Sequence, residues 1–252
     1  MSRPDRSRTS AHQLRPFFSS QNLLNRADGS AQFDFGGSSV MCSVVGPAEV
    51  RIRDEKLDRA TIEVVARPLV GIPSIKEKAR EQNIRETLEP LILSGLHPRT
   101  GIQIVVQTMK DDGCILSTAF NATIMALMDA GIPLKSILGS VTCMVDEKTN
   151  QIWLDPTTEE LAQAKSAHVF VFDNKSSITS ASAGAQGKDA DVDMDQDTVG
   201  AAILFSDSTG LFTEEQYFEC AQICFKAAQA IHGFIRTAIA KKLEKEYQQT
   251  HA

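Results

Sequence analysis

The chain predicts a layered domain, α+β or mixed α/β, in which strands come in runs, with helices between and after them. Three observations carry that reading. Residues 31–65 alternate apolar and polar positions between Gly-containing turns, the two-residue period of a half-buried sheet. Residues 114–129 are apolar almost all round, so the helix they predict has to be buried. From Thr213 a helical pattern runs to Tyr247 and turns charged after Lys241. The 252 residues are enough for a single domain with a real core.

Taken in order, residues 1–20 hold Arg3, Arg6, Arg8 and Arg15 among Ser, Pro and Thr, which reads as a basic N-terminal tail, flexible or drawn out as an extended arm. The domain is expected over 21–247. Strands are predicted at 31–35, 38–45 and 49–53, punctuated by Asp28-Gly29, Gly36-Gly37 and Gly46-Pro47, with β-branched residues continuing the sheet at 60–65. Ile84, Leu88, Leu91 and Ile92 share one helical face within 75–93, and Pro90 kinks or breaks that helix. A strand at 102–109 leads through an acidic Gly turn into the buried helix, which Gly131 and Pro133 stop. Residues 136–145 and 151–154 read as a hairpin, 157–164 as a short helix with Glu159 and Glu160 suiting its dipole, and 168–172 as a strand. Residues 176–198 are low-complexity and acidic, an insertion expected to be disordered. A strand at 201–205 precedes the last helix, where Thr213 and Gln216 form a capping box.

Charged residues make up 23% and apolar ones 42% of the chain, ordinary soluble values, and no apolar run approaches the ~20 residues that span a bilayer. The net charge of −6 is concentrated: five aspartates against one lysine in 180–198 contribute −4 and leave the rest near neutral. The balance neither excludes nucleic acid nor argues for it. Cys42, Cys114, Cys143, Cys220 and Cys224 include no CxxC pair and read as buried thiols in a reducing compartment. His232, the nearest His to Cys220 and Cys224, stands alone, so no metal site is expected.

Four constellations bear on chemistry. From Asp111 to Leu134 there is no Lys, Arg or His. A helix N-terminus attracts anions, yet this one carries two aspartates and no cation. The alternating aspartates at 189–197 fail as a calcium loop, because its Gly and Glu positions are Met194 and Gly200. Asp155, Glu159 and Glu160 suit either a divalent ion or, by preference, helix capping near Pro156. Lys76, Lys78, Arg80 and Arg85 form the dense basic stretch of the body, suited to phosphate contacts. Glu77, Glu81 and Glu86 lie among them, so intrahelical ion pairs weigh equally. His168 on an apolar strand reads as a satisfied core or interface side chain.

Arg26-Ala27-Asp28-Gly29-Ser30-Ala31, Gly37-Ser38-Ser39-Val40, Val44-Val45-Gly46-Pro47, Pro98-Arg99-Thr100, Asp112-Gly113 and Ala130-Gly131-Ile132-Pro133 together resemble the RNase PH family over about residues 20 to 245. With Leu96-His97-Pro98-Arg99-Thr100 and the short C-terminal end, they resemble its ring subunits in the eukaryotic RNA exosome. The resemblance implies a single-domain α+β sheet-and-helix sandwich of the ribosomal protein S5 domain 2-like type, with the 114–129 helix at its centre. It also implies lost chemistry. Active members hold inorganic phosphate with a Gly-Thr-Arg triplet, which here reads Gly113-Cys114-Ile115. They place two aspartates six residues apart, here matched by Glu160 and Ser166; a serine neither carries the charge nor donates a proton at a useful pKa. A phosphate- or RNA-binding arginine survives as Arg85.

The resemblance thus leads to a non-catalytic ring subunit without cofactor or metal, binding single-stranded RNA through Lys76, Lys78, Arg80, Arg85 and Arg99. Expected partners are other RNase PH-like subunits, paired and closed into a hexameric ring, cap subunits with RNA-binding domains, and an associated nuclease. The expected setting is the nucleus, nucleolus and cytoplasm, in RNA degradation and rRNA processing. Two alternatives stay open: an active phosphorolytic or metal-dependent exoribonuclease using Asp155, Glu159 and Glu160, and a stand-alone homodimeric RNA-binding protein.

Overall fold

A computed structural model describes residues 8, 10–174 and 202–250. The acidic insertion expected at 176–198 lies outside the described residues. Among these residues, nine strands and four α-helices follow one another as β1 (Phe17–Gln21), β2 (Gly29–Phe35), β3 (Ser38–Glu49), β4 (Thr61–Arg67), α1 (Ile75–Leu88), β5 (Thr100–Lys110), α2 (Ile115–Asp129), β6 (Leu138–Asp146), β7 (Ile152–Leu154), α3 (Thr158–Leu161), β8 (Ala164–Asp173), β9 (Ile203–Gly210) and α4 (Glu214–Thr250). They form two sheets, in orders β1-β2-β3-β5-β4 and β7-β6-β8-β9. Of these strands only β4 and β5 run parallel, linked by the crossover helix α1; every other pairing is antiparallel.

The two-residue period decides which face of the first sheet is buried. Ala31, Phe33 and Phe35 on β2 and Val40, Cys42 and Val44 on β3 all point inward, as do Ile102, Ile104 and Val106 on β5. α2 covers that face and also packs on β6 of the second sheet. This explains a helix with no polar side: it lies between two sheets, and one hydrophobic cluster spans both. Its polar side chains are satisfied internally. Thr118 and Thr123 donate back to carbonyls one turn earlier, and Asn121 exchanges two hydrogen bonds with the Ser140 backbone. β6 is buried along its whole length, because α2 and α4 both pack on it.

Several boundaries move for physical reasons. β3 continues through Gly46-Pro47 with a register shift, and no strand forms at 49–53, because β5 starts at Thr100 opposite Glu49 and offers no ladder beyond it. α1 stops at Leu88 rather than 93, two residues before Pro90. β9 outlasts its apolar residues because Ser206 to Gly210 keep pairing with β8. The largest correction concerns the N-terminus. A domain boundary at residue 20 would cut through β1, an edge strand of the first sheet whose Phe17 packs on Phe35 and Phe234. Residues 10–21 are an arm fastened to the body.

All five cysteines are buried and free. Burial pushes the Cys42 thiol up to about 12, away from reactivity.

Candidate functional site

The turn between β5 and α2 is set by Gly113. Its φ of +102° suits glycine, and a β-carbon there would press on the Leu161 side chain at 2.9 Å, the Thr158 amide at 3.0 Å and the Pro156 carbonyl at 3.1 Å. The segment 156–161 is therefore seated directly against the start of α2. Cys114, the N-cap, makes no side-chain cap. Its thiol donates instead to the Pro156 carbonyl at 3.1 Å, and burial holds it protonated, well above the usual thiol range. Ile115 is buried. The α2 N-terminus faces protein, with no cation from its own sequence. Gly113→Ala is expected to cost about 3 kcal/mol, strain and overlap combined, read as a lower urea midpoint at unchanged slope.

The carboxylates nearby are engaged by the N-terminal arm. Arg15 forks onto buried Asp155, with Nε to Oδ2 and Nη2 to Oδ1 both at 2.6 Å, and its Nη1 reaches Asp112 at 2.5 Å. The Arg15 amide donates to the same Asp155 carboxylate at 3.1 Å. Burial opposes the Arg15 charge, but the bonds to Asp155 more than offset it and raise its pKa. Asp155 itself sits at φ +51°, so its backbone turns sharply after β7. Arg8, also buried, donates to the Asp155 carbonyl at 2.6 Å and to Glu160 Oε2 at 3.3 Å. Glu160 completes a capping box with Thr157 at the head of α3. Capping, preferred over an ion site from sequence, is the role Glu160 has; Glu159 is exposed on the same turn.

Ser166 belongs to a different network. Its hydroxyl lies 3.0 Å from His168 Nε2, and His168 Nδ1 lies 2.8 Å from the Ser208 hydroxyl. Glu160 and Ser166 are thus held by separate partners, one against Arg8 and one against His168. His168 is the satisfied interior histidine its strand implied, with Phe212 and Tyr217 edge-on to its ring.

The basic candidates lie elsewhere. Ser74 and Glu77 form a capping box on α1, and hydrogen bonds from Ser74 hold the Glu77 carboxyl below its usual range. Lys78 pairs with Glu81 at 2.7 Å and Arg80 with Glu77 at 3.4 Å, so two of the four cations are in intrahelical ion pairs. Lys76 makes no ion pair among the described residues. Arg85 bonds Gln82 and, with Lys78 and Arg51, lines a groove of about 660 Å³ beside β4. Arg99, at φ +61°, lies 3.6 Å from Glu55. Its amide bonds the Lys56 carbonyl, and the Lys56 ammonium reaches Glu89 just past α1. Arg99 is thus at the opposite end of α1 from Lys76, about 20 Å away along the helix. The loop from β4 into α1 leaves Leu69, Val70 and Ile72 exposed, and Ile75 at the start of α1 is exposed beside Lys76.

Sequence reasoning missed Arg8 and Arg15 as site residues. The available signal was Phe17-Phe18 directly after Arg15-Pro16, an apolar pair with nothing to do in a solvated tail.

Two sheets thus clasp a buried helix with an acidic glycine turn at its head. The model of the 3' exoribonuclease family, domain 1, matches residues 13–133. Over 231 residues the chain is 33% identical to the exosome complex exonuclease RRP46 homolog of Oryza sativa subsp. japonica, covering 92% of this chain and 93% of that one. It is 30% identical over 224 residues to the exosome complex component RRP46 of Saccharomyces cerevisiae, covering 86% and 92%. The crystal structure of rice Rrp46 superposes with a TM-score of 0.78 at 32% identity, covering 92% of this chain and 98% of that one. The chain belongs to the RNase PH-type 3' exoribonuclease family. Within that family its likeness is to the RRP46 exosome components.

Proposed function

We propose that this chain is a catalytically silent RNase PH-like subunit of an RNA exosome core, and that α1 contacts single-stranded RNA through its phosphates. One observation carries the loss of catalysis: the head of α2 carries Cys114 and Ile115, and its neighbouring carboxylates are occupied by the chain's own Arg8 and Arg15. Phosphorolysis needs the nucleophilic phosphate held by a cation and a free acid to protonate the leaving oxygen. Here Asp155 and Glu160 are engaged as structural anions, and Ser166 cannot replace an acid. The likeness to proteins named as exosome components supports the assembly. The exposed apolar loop before α1 supports it too, since such patches mark protein contacts. In this reading the partners are other RNase PH-like subunits in a ring, cap subunits and an associated nuclease, serving RNA degradation and rRNA processing in the nucleus, nucleolus and cytoplasm.

The test of silence is direct. Purified chain with poly(A), Mg²⁺ and inorganic phosphate is expected to release no nucleoside diphosphate. Turnover abolished by Glu160→Gln would overturn the proposal. For RNA binding, neutralising Lys76, Lys78 and Arg80 together is expected to weaken the hold of the assembled complex on oligo(U). Each phosphate left without its cation lowers the slope of log affinity against log salt by about 0.7. Unchanged affinity and slope would remove α1 from the RNA path.

A further inference from the structure

The edge strand β1 and the last turns of α4 enclose a groove of about 550 Å³ that the reading above does not use. Among the described residues β1 pairs only with β2. Gly36 donates to the Pro16 carbonyl and Asn22 donates to the Ser30 carbonyl, which fixes the parity of the ladder. Even-numbered residues turn their backbone groups toward β2, so the N–H and C=O of Phe17, Ser19 and Gln21 turn away from it. Phe17 and Phe234, with ring centroids 5.6 Å apart, form an apolar floor. Phe18 stands 61% exposed at the lip. Along the opposite wall α4 presents Thr237, Ala238, Lys241 and Lys245, one face at helical spacing. Lys242 is held by Asp129 and Glu246, whereas Lys241 and Lys245 make no ion pair among the described residues. At one end the Gln21 amide nitrogen is buried without a hydrogen-bond partner among the described residues.

We infer that this groove receives an extended acidic segment of a partner protein, which adds to β1 as an outer strand. The outward N–H and C=O groups match a peptide backbone at the strand repeat. The lysine wall selects carboxylates, and the floor takes an alternate apolar side chain. Single-stranded RNA would answer the lysines and Phe18 but offers no ladder to β1. This inference does not depend on the exosome reading.

The full chain is titrated by fluorescence anisotropy with a labelled peptide of about eight residues alternating Val and Glu, with its Val–Lys counterpart, and with oligo(U). The acidic peptide is expected to bind best. Lys241→Glu with Lys245→Glu is expected to weaken it by about tenfold. Ser19→Pro removes an N–H that faces the groove and is expected to do the same. Phe18→Asp, which leaves the backbone intact, gives the same readout should the proline variant fail to fold by circular dichroism. Equal binding of both peptides, no binding of either, or wild-type affinity in these variants overturns the inference. So does tighter binding of oligo(U) at this wall, or a dimer of the chain that excludes the peptide and dissolves on Phe18→Asp.

Discussion

Arg15→Leu is expected to lower the unfolding free energy by about 3–5 kcal/mol, the range found when one partner of a buried ion pair is removed. The cost comes mostly from what stays behind. Asp155 is fully buried and would lose both bonds from the guanidinium, along with the positioning of a third from the Arg15 amide. Lysine cannot reproduce the fork, so Arg15→Lys is expected to recover only part. Urea unfolding followed by circular dichroism checks both. The partner experiment, Asp155→Asn, separates anchor from active site: as an anchor it lowers stability and leaves RNA binding untouched. A loss below about 1 kcal/mol for Arg15→Leu, the level of an exposed pair, would mean that the arm is not fastened by these charges.

Below pH 6.5 the chain is expected to lose stability as two buried histidines are driven toward protonation, with about 1.4 kcal/mol per pH unit the ceiling for any one group. Burial lowers the pKa of both His168 and His232. For His232, burial leads, Arg236 on the same helix adds to it, and Asp173 and the Phe172 backbone oppose it. His232 Nε2 has no partner among the described residues and abuts Gly139, where no side chain fits. Among the described residues His168 meets the Ser166 and Ser208 hydroxyls and aromatic rings. The unfolded chain takes up protons at both positions as the pH falls through about 6.5, while the folded chain resists until lower pH. The stability they contribute is therefore complete above about 6.5 and drains away as the pH drops toward the folded pKa. Unfolding free energies at pH 7.5, 6.5 and 5.5 test this, and His232→Gln is expected to make the loss shallower.

Local physics made much of this molecule legible in one dimension. The all-round apolar pattern of 114–129 required burial, and α2 lies between two sheets. Thr213 and Gln216 form the expected reciprocal cap, and Glu160 caps as its spacing suggested. The missing cations after Asp112 were plain in the letters alone. Arg8 and Arg15 were not, because their partners lie 97 to 152 residues away. No periodicity within a short stretch of chain reports a bond of that separation. β9 was cut short for a related reason: its last residues are held by backbone pairing with β8, and apolar patterning cannot register that.

Sequence alone determined a layered mix of strands and helices, the burial of α2 and the absence of charge to hold an anion at its head, because these depend on period and residue type. Tertiary structure decided how the remaining carboxylates are used. Folding brings the arm to the α2 turn, and a buried carboxylate there demands a partner. Arg15 supplies it for Asp155 and Arg8 for Glu160. What the letters leave open between a flexible basic tail and an extended arm is, in three dimensions, the counter-charge of the interior.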